Sequence, residues 1–184
     1  TLTIPQTIQP FSEADFQFSV PHDFSAIGDY DVTVIVSQVD DGYGNNDTLN
    51  TVLSKVHTFD GELSIGELEV VCNDVVEVIA IVKNQGEISI TDVAIEVVVN
   101  GLVVDVINAT VDIPFQEQAA VEITINNNLQ QNNNNISLNL VSINNQGDGD
   151  LTNNSASTVT NVDSDYDIIT LIINPDNYPD ETSW

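Results

Sequence analysis

Apolar residues in this chain recur at every second position, and that spacing limits what it can fold into more than any other feature. A step of two puts alternate side chains on opposite faces of a strand, whereas a helix needs steps of three and four. "DYDVTVIV" sets Val32, Val34 and Val36 on one face, and "ISLNLVSI" does the same with Ile136, Leu138 and Leu140. Val76, Val78, Ala80 and Val82 alternate in one run, Val93, Ile95, Val97 and Val99 in a second, and Val121, Ile123 and Ile125 in a third. Asn100-Gly101 stands between two such runs, and both residue types tolerate the positive φ of a two-residue hairpin. No stretch carries a helical stripe with caps. The chain is expected to be all-β, with Val78, Val82, Val97, Ile123 and Leu138 inside.

The pattern also repeats. "PFSE" at 10–13 returns as "PFQE" at 114–117, 104 residues on. The same register lays Phe16 and Phe18 on Ala120 and Glu122, a poor match, but sets Val32, Val34 and Val36 on Ile136, Leu138 and Leu140 without a gap. Each run then enters a loop of Asp, Asn and Gly, "VDDGYGNNDTLN" or "NNQGDGDLTNNSAS". Three extra residues in the second bring Asn46-Asp47 onto Asn153-Asn154. A period of about 100 residues is one β-sandwich rather than a solenoid coil. The expected architecture is tandem immunoglobulin-like antiparallel sandwiches. Residues 1–60 would hold the last three or so strands of a first domain, 61–163 a complete domain, and 164–184 a linker and first strand of a third. Three strands cannot bury their own faces, so Val32, Val34 or Val36 should be exposed. Thr1 falls mid-pattern without a basic or apolar leader, so the chain reads as an interior piece of a longer one.

Charge narrows the partners. There are 29 acidic residues against two basic ones, Lys55 and Lys83, for a formal net charge of −27. Nucleic acid and anionic membrane would find no countercharge on such a surface, and no run reaches the length of a membrane span. Cys72 is the single cysteine, so no disulfide framework exists within these residues. Its apolar setting, "LEVVCNDVV", suits a small buried hydrophobe.

For catalysis the chain offers no H-E-x-x-H, no G-x-S-x-G and no Gly-rich phosphate loop. Its two histidines, His22 and His57, both lie in the incomplete domain. It is therefore read as no enzyme. Calcium is the one cofactor the loops could take, since hard cations want several oxygens at short spacing. One loop offers Asp148, Asp150 and Asn153; the other offers Asp40, Asp41 and Asp47. Asp163, Asp165 and Asp167 form a further acidic group at the linker. None has EF-hand spacing, and Asp, Asn and Gly also dominate loops for backbone reasons alone.

The segment "VIAIVKNQGEISITDVAIEVVVNGLVV", with "NNQGDGDLTNNSAS" after it, resembles the CARDB type of immunoglobulin-like domain over roughly residues 67–160. The family's V-x-N-x-G turn falls on Val82, Asn84 and Gly86, and its Asn-rich loop on Asn144 to Asn154. Asn144 and Asn145 stand where the family often has Val-Asp. "GDYDVTVIVSQVDDGYGNNDTLNTVLSKV" is similar to linker domains of large secreted Bacteroidota proteins exported by the type IX system. This likeness implies an extracellular or cell-surface setting, in adhesins, filaments or multidomain hydrolases. It also implies an O-glycan at Thr48, within Asp47-Thr48-Leu49. The partners implied are neighbouring immunoglobulin-like domains of the same polypeptide, and other surface proteins or glycans. The expected role is a spacer in an adhesin or filament shaft. The alternatives are an accessory region of a secreted hydrolase and a calcium- or glycan-binding module. Sugar binding is disfavoured, because the tyrosines and Trp184 are scattered along the sequence.

Overall fold

All the strands named below pair antiparallel, and the sequence accounts for most of them by alternation. The computed structural model describes residues 3–4, 7–71 and 75–162. The chain divides into two compact units, 1–57 and 58–184. Cys72, the linker carboxylates from Asp163 onward and the proposed third domain lie outside the described residues.

In unit 2 seven strands are seen among the described residues: β3 (Gly61–Val71), β4 (Val75–Asn84), β5 (Ile90–Val99), β6 (Leu102–Ile113), β7 (Gln118–Ile125), β8 (Asn132–Ile143) and β9 (Ser155–Val162). They form two sheets, ordered β3-β4-β7 and β6-β5-β8-β9. The chain crosses between sheets after β4, β6 and β7, which gives an immunoglobulin-like sandwich whose fourth strand sides with the four-stranded sheet. The inward residues are the alternating ones: Val76, Val78, Ala80 and Val82 of β4 face the interior with Val93, Ile95, Val97 and Val99 of β5, all buried. Ile123 and Leu138 are buried with them, as the alternation requires. Asn100 and Gly101 turn β5 into β6 with φ of 52° and 82°, the doubly positive turn that matches strand twist.

Unit 1 contains β1 (Gly28–Ile35), a 3-10 turn (Gly44–Asn46) and β2 (Thr48–Lys55). β1 and β2 form a two-stranded sheet, and none of the described residues of unit 1 is buried. Val36 is exposed, while Val32 and Val34 are half-covered.

The two units share one hairpin in backbone detail. Gly28 faces Lys55 and Ile35 faces Thr48; at the corresponding positions Asn132 faces Val162 and Asn139 faces Ser155. Every pair between follows, so the whole register of β1–β2 is that of β8–β9. Gly28 and Asn132 open their strands with positive φ, and the corresponding Asp40 and Asn144 both take positive φ, five residues past β1 and directly after β8. The Val36 N–H donates to the Asp47 carbonyl at 2.8 Å, and the equivalent Leu140 N–H to the Asn154 carbonyl at 2.8 Å. The Tyr30 hydroxyl donates to the Ala26 carbonyl four residues upstream, at 2.8 Å. Asn134, which stands in its place, donates its amide to the Gln130 carbonyl at 2.8 Å. Different side chains thus close the same corner.

Two points differ from the sequence reading. The described part of unit 1 has two strands, not three. The register of the first turn also moves by one residue. The Ser12 N–H closes a turn on the Gln9 carbonyl with Phe11 at φ 62°. In unit 2 the Glu117 N–H closes the same turn on Pro114, with Gln116 at φ 68°. Phe11 therefore corresponds to Gln116 rather than Phe115. Counting on from that turn lays Phe16, Phe18 and Val20 on Val121, Ile123 and Ile125, the buried face of β7. Among the described residues β7 pairs with β4 alone, and unit 1 as described has no counterpart of β4, so this segment forms no ladder there.

Truncating the core should separate inward from outward residues. Leu138→Ala is expected to cost about 2–4 kcal/mol of unit 2 stability through lost burial and a cavity. Val159→Ala, at a β9 residue that is 63% exposed, should stay within about 0.5 kcal/mol. Denaturant unfolding checks both. Equal effects would place Leu138 outside the core.

Candidate functional site

At one end of the sandwich the chain entering β3, the turn after β4 and the loop between β8 and β9 meet, and polar groups gather there. Asn84, the last residue of β4, is fully buried. Its amide nitrogen donates to the carbonyls of Ile113 (2.8 Å) and Ile88 (3.0 Å), and its Oδ1 accepts from the Gly86 N–H (2.9 Å). One side chain therefore ties together the ends of β4 and β6 and the loop between β4 and β5. Gly86 is required by close approach: a Cβ there would stand 2.6 Å from the Asp60 nitrogen. The V-x-N-x-G spacing follows from these roles, with Val82 in the core, Asn84 stitching two elements and Gly86 against the chain before β3.

Asp60 is 7% exposed and works through both its backbone and its side chain. Its carbonyl accepts from the N–H groups of Gln85 (2.8 Å) and Gly86 (3.1 Å). Its Oδ1 accepts from the Asn153 amide at 3.1 Å. Across the joint, Asp148 Oδ2 accepts from the Gly61 N–H (2.8 Å) and Oδ1 from the Asp150 N–H (2.9 Å). The buried Asn154 amide nitrogen, turned toward these oxygens, reaches the Gly61 carbonyl (2.8 Å), Asn153 Oδ1 (3.0 Å) and Asp148 Oδ2 (3.1 Å). Burial raises the Asp148 pKa above the ordinary carboxylate value; the N–H bonds from Gly61 and Asp150 oppose the rise and the nearby Asp60 charge adds to it.

The structure therefore brings Asp148 and Asn153 together with Asp60 and Asn154. Asp150 turns into its own loop, where its Oδ1 accepts from the Thr152 N–H (2.9 Å) and hydroxyl (2.6 Å). Asp40, Asp41 and Asp47 lie in the unit 1 loop. Asp41 Oδ1 accepts from the Tyr43 N–H at 2.9 Å, Asp40 takes a left-handed φ of 66°, and the Asp47 carbonyl closes the hairpin. These are turn-forming roles. Thr48 begins β2 and is exposed. Among the described residues no three His, Cys, Asp or Glu side chains converge as a metal-binding group. A recess of about 140 Å³ lies between β5, β6 and β8, lined by Asp92, Asn108 and Ser142 among others, about half the smallest usual ligand pocket. Tyr30 meets Phe24 edge-on at 5.0 Å, and Phe24 meets His22 at 4.7 Å.

Two measurements probe the joint. Asn84→Ala takes a donor from the Ile113 and Ile88 carbonyls and leaves the Gly86 N–H to the Asp60 carbonyl alone, and is expected to cost about 2–3 kcal/mol; a loss below about 0.5 kcal/mol would deny it the stitching role. For Asp148, a raised native pKa means that the native state binds more protons than the unfolded one between the two pKa values. Stability contributed here therefore falls as pH rises through that window. Asp148→Asn should remove this fall, so the variant gains on the parent as pH climbs above the ordinary aspartate pKa of about 3.9. Parallel pH profiles would contradict it.

No family model matches this chain, and no curated protein does. Among solved structures it is similar to the CARDB domain of a Pyrococcus furiosus protein in solution, at 23% identity and a TM-score of 0.46, covering 59% of this chain and 98% of that one. A crystal structure of the same Pyrococcus domain, in complex with di-metal ions, gives 21% identity and a TM-score of 0.47 over 59% of this chain and 96% of that one. A domain of a putative cell surface protein from Methanosarcina acetivorans gives 23% identity and a TM-score of 0.45 over 55% and 91%.

Proposed function

We propose that this chain is a non-catalytic spacer segment of a large extracellular surface protein, an adhesin or filament shaft built from tandem immunoglobulin-like sandwiches. The observation that supports it best is the recurrence of one hairpin in two units, pair for pair. A chain built from recurring sandwich units gains length, and loops closed by their own backbone bonds leave little chemistry exposed. The −27 charge serves the same role, because self-repulsion keeps neighbouring shafts apart and soluble. Export by the Bacteroidota type IX route and O-glycosylation at Thr48 belong to this proposal. The accessory region of a secreted hydrolase differs only in what flanks the array.

A second reading, calcium binding at the joint, is favoured by the oxygens of Asp148, Asn153 and the Gly61 carbonyl gathered around the Asn154 side chain. In the spacer reading Asn154 staples these oxygens; in the calcium reading a cation would draw on them as ligands.

Solution scattering on the full-length polypeptide tests the spacer role: its longest dimension should grow in proportion to the number of sandwich repeats. A compact particle would overturn it. Thermal melting tests the second reading. Screening alone raises Tm equally with calcium and magnesium at matched ionic strength, whereas a site gives an extra rise with millimolar calcium that Asp148→Asn with Asp150→Asn removes.

A further inference from the structure

Unit 1 carries the hairpin of unit 2 with none of its described residues buried. Its inward residues can be named, because unit 2 shows which face of the same hairpin is covered. Val36 is 57% exposed where Leu140 is 4%, and Leu53 is 46% exposed where Thr160 is 8%. The side chains pointing the other way, Ile35 and Val52, stand where unit 2 has half-covered Asn139 and exposed Val159. A second uncovered stripe comes from the segment ahead of the hairpin. Phe18 is 59% exposed where Ile123 is 2%, and Val20 is 79% exposed where Ile125 is 3%.

The two stripes want different partners, and unit 2 identifies both. β8 receives β5 along the edge away from β9, with Val99 opposite Ile136 and Val97 opposite Leu138. β7 receives β4, with Val78 opposite Ile123 and Val76 opposite Ile125. β4 and β5 are consecutive in the chain and lie in opposite sheets. A single occupant that answers both stripes is therefore a set of strands of the β3–β6 kind, not one added strand. In unit 2 that set directly precedes the turn at Pro114 and lies in the same polypeptide.

We infer that unit 1 is the closing part of a sandwich whose β3–β6 equivalents lie upstream of Thr1 in the same polypeptide. One strand pairs antiparallel with β1, presenting apolar residues opposite Val32 and Val34. The strand before it pairs with residues 14–21 and turns Phe16, Phe18 and Val20 inward as the counterpart of β7. The inference rests on the tandem-sandwich reading and adds to it the partner, the edge and the register.

Hydrogen exchange on the natural polypeptide tests it, comparing Thr1–Trp184 with the chain extended upstream by the length of Thr58–Ile113. In Thr1–Trp184 the amides of residues 14–20 should exchange freely while those of β8 are protected. In the extended chain, monomeric by sedimentation, residues 14–20 should slow by about a hundredfold or more. Phe18→Asp in the extended chain should abolish that slowing and leave β8 protected. Free exchange of 14–20 in the extended monomer would overturn the inference. So would protection that appears only on dimerisation, which makes a second copy the donor, and so would protection already present in monomeric Thr1–Trp184. Scattering from the full-length protein judges the spacer role separately, since a shaft stays elongated whichever strands complete this unit.

Discussion

β8 is held on three sides, and the rest of unit 2 is organised by what holds it. β5 pairs along one edge and β9 along the other, while Ile136, Leu138 and Leu140 are buried inward. A strand alone leaves its backbone donors and acceptors unmet and its apolar face wet. Both needs are met in unit 2, and the core follows from the alternation that meets them. In unit 1 the equivalent strand, β1, has β2 on one edge and none of the described residues around it is buried. The contrast shows that the hairpin register comes from its own turn and loop geometry, while burial comes from the strands that enclose it.

The polar joint gives a second view of the same physics. Where strands end, carbonyls and N–H groups lose their ladder partners, and a buried end must find others. Asn84, Asp60, Asp148 and Asn154 supply them, each bonding to backbone or side chains from another segment. The cost is visible at Asp148, whose carboxyl is pushed toward its protonated form by burial. Residues that look like a ligand set on paper thus serve first as the fastening of the β8–β9 loop to the chain entering β3.

Much of this was legible in the sequence because alternation is a local signal. Strands β4, β5, β7 and β8 and the inward residues Val78, Val82, Val97, Ile123 and Leu138 all follow from it, and Asn100-Gly101 marks the turn after β5. The loop repeat was legible too, since the insertion that sets Asn46-Asp47 on Asn153-Asn154 is the one the strand pairing uses. The match of "PFSE" to "PFQE" misled by one residue. Letter identity favoured Phe11 on Phe115, but a turn is set by which residue takes the positive φ, and that places Phe11 on Gln116. The roles of Asp60 and Asn154 were hidden for a different reason. Their partners lie across the fold, as when Asn153 reaches Asp60 and Gly61 reaches Asp148, and no local pattern records such a meeting. Asp40 and Asp41 drew notice as oxygen donors, yet their geometry is that of turn residues.

The claim on which the rest depends is that one hairpin is built twice in the same register. Cross-strand proton contacts measured by NMR in the full-length polypeptide test it directly. The account predicts Val32 opposite Thr51 and Val34 opposite Leu49, matched by Ile136 opposite Thr158 and Leu138 opposite Ala156. A slip of one residue in the first hairpin alone would turn its apolar face to the other side and would contradict the account.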